Sequence, residues 1–222
     1  MKYILTTLMM LHMSVIHSQK DTIIYIGDPM CSWCYGFGPE LDKIKAAFPE
    51  TPFEMIMGGL RAGGTETMLE LKGFLKEHWQ DVQKASGRTF NYNILSQNEV
   101  LYDTEMACRA VIVAGQLKPE AKYEYFKAAQ ESFYFHNNLP NDLDTYINLA
   151  IKAGIDPELF HKKLDARQSK MDAYSEFELA SSMGVTGFPS IVAKIGGKLY
   201  LVTNGYQKAD KIIKLLENRG LK

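Results

Sequence analysis

The chain has 222 residues, 46% of them hydrophobic, and a formal net charge of −1. That length supports one sizeable core, or a core with an inserted subdomain. The balanced charge excludes the basic footprint of a nucleic-acid binder, and in the body of the chain no apolar run is long enough to cross a bilayer.

In chain order, the N-terminus stands apart. Lys2 is followed by the apolar pieces Ile4-Leu5, Leu8 to Leu11 and Val15-Ile16, and a small residue falls at Ser18. One positive charge, a short apolar run and a small residue outline a secretory signal peptide over residues 1–19. The expectation is export to the periplasm, with a mature chain beginning near Gln19 or Lys20 in an oxidising compartment and no stable membrane insertion. A cytoplasmic protein with an N-terminal extension is the alternative.

Thr22 to Ile26 is a β-branched run ended by Gly27-Asp28-Pro29, a strand followed by a turn. From Ser32 to Phe48 apolar residues recur at helical spacing until Pro49, with Pro39 inside the helix. Phe53 to Met57 is a second strand, ended by Gly58-Gly59. Strand, helix, strand predicts a βαβ unit with parallel strands. Residues 65–183 then read as almost wholly helical. Helices are predicted over Thr65–Lys84 and Thr104–Leu117, from Pro119 through Phe133, over Asp142–Ala153, from Asp156-Pro157 onward, and over Ser169–Met183. Strands return at Ser190–Ile195 and Lys198–Thr203 around the Gly196-Gly197 turn, and Ala209–Glu217 is a final amphipathic helix. The organisation is α/β: two β-containing halves, 20–63 and 184–222, separated by a helical insertion at 64–183.

The stretch DPMCSWCYGFGPE, Asp28 to Glu40, carries the chemistry. Cys31 and Cys34 are three positions apart, immediately after a strand and at the start of a helix. A structural zinc site needs four ligands, and neither the remaining cysteine, Cys108, nor His78, His136 and His161 complete one. A c-type haem needs His after the second cysteine, where Tyr35 stands. A passive disulfide across so short a loop stabilises little. Redox exchange remains, with the Cys31-Cys34 pair as the redox group and no other cofactor. The helix start leaves amides unpaired and the dipole positive, which favours a thiolate at Cys31, the attacking sulfur. Cys34, one turn further in, is the shielded resolving thiol, and Cys31 is expected to be exposed. Ser32 is placed to hydrogen-bond Cys31, and Trp33 offers a flat apolar surface to a substrate.

These residues, with Tyr35-Gly36, Pro39 and GVTGFPS at Gly184 to Ser190, resemble the DsbA-like thioredoxin-fold family. YDTEMACRA at Tyr102 to Ala110 and ESFYFHNNLPND at Glu131 to Asp142 are similar to the FrnE-like branch, which is related to 2-hydroxychromene-2-carboxylate isomerases. The resemblance covers about Ile23 to Leu216. It implies a thioredoxin-like fold with a large all-helical insertion, a cis-proline at Pro189 opposite the dithiol, and backbone pairing of Phe188 with an extended substrate. Two positions depart from the family. Many members carry an acid six residues before the first cysteine; here Tyr25 stands there, and Asp28 is the candidate proton acceptor, beside its alternative role as a turn former. Ser32-Trp33 also lacks the thiolate-stabilising His of strongly oxidising members.

Other features carry less. Gly58 to Gly64 lacks the Lys-Ser/Thr of a phosphate loop and reads as a flexible lead into the insertion, with Arg61 a candidate for an anionic ligand. Cys108 reads as a buried core thiol. Three functions follow: disulfide exchange with unfolded or misoxidised proteins, cycled by a thiol redox partner; a glutathione-dependent isomerase or transferase acting on small molecules; and a chaperone-like binding module. Relatives in the second class typically carry Ser in place of Cys31.

Overall fold

The structure is a computed structural model and describes residues 20–97 and 99–221. The leader expectation at 1–19 lies outside them. In chain order the elements are β1 (Thr22–Gly27), α1 (Ser32–Ala47), β2 (Phe53–Met57), α2 (Lys72–Ser86), α3 (Glu105–Leu117), α4 (Lys122–Tyr134), α5 (Leu143–Lys152), α6 (Pro157–Asp165), α7 (Arg167–Ser182), β3 (Ser190–Ile195), β4 (Lys198–Asn204) and α8 (Ala209–Glu217). The sheet order is β2-β1-β3-β4. β1 and β2 are parallel, as the βαβ reading requires; β1–β3 and β3–β4 are antiparallel. This is the thioredoxin-like fold expected from the resemblance.

β1 is buried along its whole length because both faces of the sheet are covered. Ile23 and Tyr25 point into the larger core, with Met55, Met57, Ile191 and Ala193. Ile24 and Ile26 point to the other face, where Ala180 of α7 and Val185 pack on them with Ile56 and Val192. The larger core continues through Trp79 of α2, Val111 of α3 and Phe160 of α6, so sheet and helices share one apolar interior.

Two local expectations change. The helix predicted from Thr65 begins only at Lys72. Thr67 instead makes a bridge with Leu101, and the Glu70 carboxylate accepts from the Thr67 amide at 2.7 Å. Local side-chain bonds of this kind compete with helix formation. Residues 87–97 and 99–104 are also largely non-helical, with one 3₁₀ turn at Tyr92–Ser96. Elsewhere the caps behave as the residue types suggest. Asp142 accepts from Asp144 N, and Asp156 accepts from Leu159 N ahead of Pro157.

Candidate active site

Cys31 is the N-cap of α1, with extended φ/ψ of −87° and 116°, and Cys34 lies inside the first turn. Both sulfurs are free thiols. Cys31 Sγ lies 3.8 Å from the Phe188 carbonyl, to which it donates. Phe188-Pro189 is a cis peptide. The loop before β3 thus crosses the start of α1, bringing together residues 157 positions apart. Gly58 is what lets the Phe188 ring in: a Cβ there would stand 2.1 Å from Phe188 Cζ.

Cys31, Ser32 and Trp33 form one wall of a cavity of about 280 Å³; Leu60, Arg61, Phe74, His78, Tyr102 and Phe188 line the rest with Leu71 and Leu75. Cys31 is only 5% exposed, not open at the surface as expected, because these neighbours close over the helix start. It still lines the cavity, whereas Cys34, 1% exposed, does not. Trp33 lies against His78 (ring centroids 5.9 Å) and Tyr206 (5.3 Å), and Phe74 stacks on His78. Burial lowers the pKa of the His78 imidazole and favours its neutral form, opposed by Asp81. Arg61 brings a cation to the wall, paired with Glu66 and set 5.4 Å from the Tyr102 ring.

Asp28 is fully buried, but its carboxylate is turned to partners other than the dithiol. It accepts from Met30 N at 2.8 Å, Leu60 N at 2.7 Å and the Cys108 thiol at 3.3 Å. It therefore ties the loop before Cys31 to the Leu60 loop, two walls of one cavity, and the hydrogen bonds of its carboxylate fit the expected turn-forming role rather than that of proton acceptor. Burial raises its pKa, opposed by these bonds and by one from Thr104. The side chain that reaches Cys34 is Tyr25: burial, then the neighbouring Cys31, push the Cys34 thiol well up, while the Tyr25 hydroxyl and the Asp28 backbone amide favour its thiolate.

Sequence reasoning missed three contributors. Tyr102 and Tyr134 both donate to the Met30 carbonyl, at 2.5 and 2.6 Å, one residue before Cys31. Both lie in segments that carry the family resemblance, but nothing in their spacing aims two hydroxyls at one carbonyl. Cys108 was read as a core thiol, and its bond to Asp28 has no sequence signature.

Fold and site together define a thioredoxin-fold protein with a CxxC dithiol at a helix N-terminus. The DSBA-like thioredoxin domain family matches residues 22–217, and the chain belongs to that family. Among solved structures it is similar to a provisionally assigned protein disulfide isomerase from Nitrosomonas europaea, with TM-score 0.83 and 30% identity over 90% of this chain and 97% of that one. The cytosolic disulfide reductase DsbM from Pseudomonas aeruginosa, solved with GSH, matches at TM-score 0.72 and 19% identity, covering 89% and 98% of the two chains. A 2-hydroxychromene-2-carboxylate isomerase matches at TM-score 0.57 and 15% identity, covering 90% and 94%. A comparison with curated proteins returns no match.

Proposed function

We propose that this protein exchanges disulfides with protein substrates through Cys31 and Cys34. One observation carries the reading: Cys31 caps α1 on the wall of an apolar cavity, beside the Phe188 carbonyl, with Cys34 one turn behind it and outside the cavity. In the reductive direction the Cys31 thiolate attacks a substrate disulfide, releasing one substrate thiolate and forming a mixed disulfide. Cys34 then attacks Cys31 Sγ, closing the Cys31–Cys34 disulfide and releasing the second substrate thiol. Two electrons pass from the dithiol to the substrate. In the oxidative direction the same steps run backwards. Trp33, Phe74 and Leu60 give an apolar surface suited to an unfolded chain, Ser32 and the Phe188 backbone border the reacting sulfur, and a separate thiol partner resets the pair. On this reading residues 1–19 direct export, which N-terminal sequencing of the protein recovered from cells checks.

Arg61 supports a second reading. A cation on the wall of a 280 Å³ cavity suits the carboxylate of a small thiol such as glutathione, and the DsbM structure of the same fold was solved with GSH.

The two separate in one assay. With an unfolded, disulfide-bonded substrate, turnover should need both cysteines, and Cys34→Ala should accumulate a mixed disulfide with the substrate. Glutathione-dependent isomerisation of a small molecule that survives Cys34→Ala, with no exchange on protein disulfides, would overturn the first reading in favour of the second.

A further inference from the structure

Tyr25 lies in the middle of β1 and is fully buried, its ring stacked 6.2 Å from that of Phe37 and edge-on to Phe126 at 5.7 Å. Its hydroxyl completes no hydrogen bond among the described residues. Folded chains ordinarily avoid leaving a buried hydroxyl unpaired. This chain also keeps space for it: a Cβ on Gly27 would come within 2.4 Å of Tyr25 Oη. The stack on Phe37 sets the ring against α1, one turn past Cys34, and burial first, then Cys34, raise the pKa of the hydroxyl. Asp28, the nearby carboxylate, is committed to Met30, Leu60 and Cys108.

We propose that the Tyr25 hydroxyl is the hydrogen-bond donor that holds Cys34 as a thiolate while it resolves the mixed disulfide. This rests on the dithiol-exchange reading above. The hydroxyl acts as a donor and not as a base, because burial pushes its own pKa well above the usual tyrosine range and keeps it protonated. Burial likewise makes the Cys34 thiolate costly, so the resolving step gains from a donor aimed at the sulfur. A neutral thiol is a weak acceptor and leaves the bond incomplete. A thiolate is a strong one, and the bond tightens as charge develops. In the step itself, Cys34 Sγ forms a bond to Cys31 Sγ and the bond from Cys31 to the substrate sulfur breaks. The Cys34 proton ends on the departing substrate sulfur, and the Tyr25 proton stays on its oxygen.

The test uses the full-length reduced protein and a bis-nitrobenzoate disulfide that releases a coloured thiolate. The first release reports attack by Cys31 and the second reports resolution by Cys34. In Tyr25→Phe the first phase should be unchanged and the second slowed about tenfold or more, the worth of a hydrogen bond to a charged group. The pH midpoint of the second phase should move upward, and acid quenching should trap the mixed adduct for mass spectrometry. A second phase with unchanged rate and midpoint overturns the proposal. So does an equal slowing of both phases, which a purely structural role would give. Should Tyr25→Phe fail to fold, difluorotyrosine at position 25 has a more acidic hydroxyl and should speed the second phase; an unchanged second phase overturns the proposal. If the first phase is itself missing, the exchange reading has failed. The donor role is then read from alkylation of Cys34 in Cys31→Ser, where Tyr25→Phe should raise the pH midpoint, and an unmoved midpoint overturns it.

Discussion

At the scale of single residues the three cysteines differ by what surrounds each sulfur. Cys31 borders the cavity, Cys34 lies behind it, and Cys108 is fully buried against Asp28. Brief alkylation of the reduced protein followed by peptide mapping should therefore label Cys31 first and Cys108 last; earlier labelling of Cys34 would reverse the assigned roles. Asp28 makes a second prediction. Its two oxygens serve Met30 N, Leu60 N and the Cys108 thiol, and Asn offers one acceptor oxygen in place of two. Asp28→Asn should lose about 1–3 kcal/mol by leaving a buried donor unpaired, read as a lower denaturation midpoint with an unchanged slope in denaturant. Cys108 should also alkylate faster in that variant. The dithiol itself was legible in the sequence, because a CxxC between a strand and a helix has few alternatives. The partners of Asp28 were not, because Leu60 and Cys108 reach it only once α3 packs beneath the Leu60 loop.

At the scale of elements, several boundaries are completed by distant residues. α8 is readable from its apolar spacing, but its N-cap, Lys208, supplies no side-chain cap. The Glu40 carboxylate of α1 does so instead, accepting from Ala209 N at 2.9 Å and from Lys208 Nζ at 3.2 Å. An acid at a helix N-terminus is favoured by the exposed amides and the dipole. Burial works against the Glu40 charge, but the Ala209 amide and Lys208 outweigh it, so its pKa falls below the usual carboxylate range. A carboxyl with a depressed folded pKa contributes stability above its unfolded pKa and loses it as pH falls through the folded value. Glu40→Gln should therefore cost roughly 1 kcal/mol or more at neutral pH, and the gap to the unsubstituted protein should close in acid. Equal destabilisation at every pH would refute the charge-based account. β2 shows the same device at a sheet edge: Glu176 accepts from Met57 N at 2.6 Å, and Lys122 donates to Met55 O at 2.7 Å. Side chains from α7 and α4 thus occupy edge groups that a further strand would pair.

At the scale of the whole molecule, the insertion between β2 and β3 takes part in building the dithiol loop. Tyr102 and Tyr134 both donate to the Met30 carbonyl, in a residue that is 1% exposed. Tyr134 also stacks on Tyr35, which follows Cys34, with ring centroids 4.8 Å apart. Either hydroxyl alone satisfies the carbonyl, so Tyr102→Phe and Tyr134→Phe should each cost about 1 kcal/mol. The double variant strands a buried carbonyl and should cost more than the sum, a coupling measurable in a double-mutant cycle. Strict additivity would show that the two hydroxyls do not share one acceptor in solution.

The sequence by itself determined the α/β class, the parallel βαβ start, the closing β-hairpin and helix, and the position of the cysteine pair at the start of α1. These follow from local periodicity, turn residues and the electrostatics of a helix start, all short-range physics. Only the tertiary structure decided what stands around the sulfurs. The Phe188 carbonyl reaches Cys31 across 157 positions, Glu40 caps α8 across 169, and Asp28 faces Cys108 across 80. Tyr25 shows the limit most clearly: the sequence marks it only as a departure from the family, a phenol where many members carry an acid, and its hydroxyl becomes a neighbour of Cys34 only when α1 packs on β1. Such pairings depend on how whole elements stack, because desolvation and hydrogen bonding act between groups that packing brings together, whatever their separation along the chain.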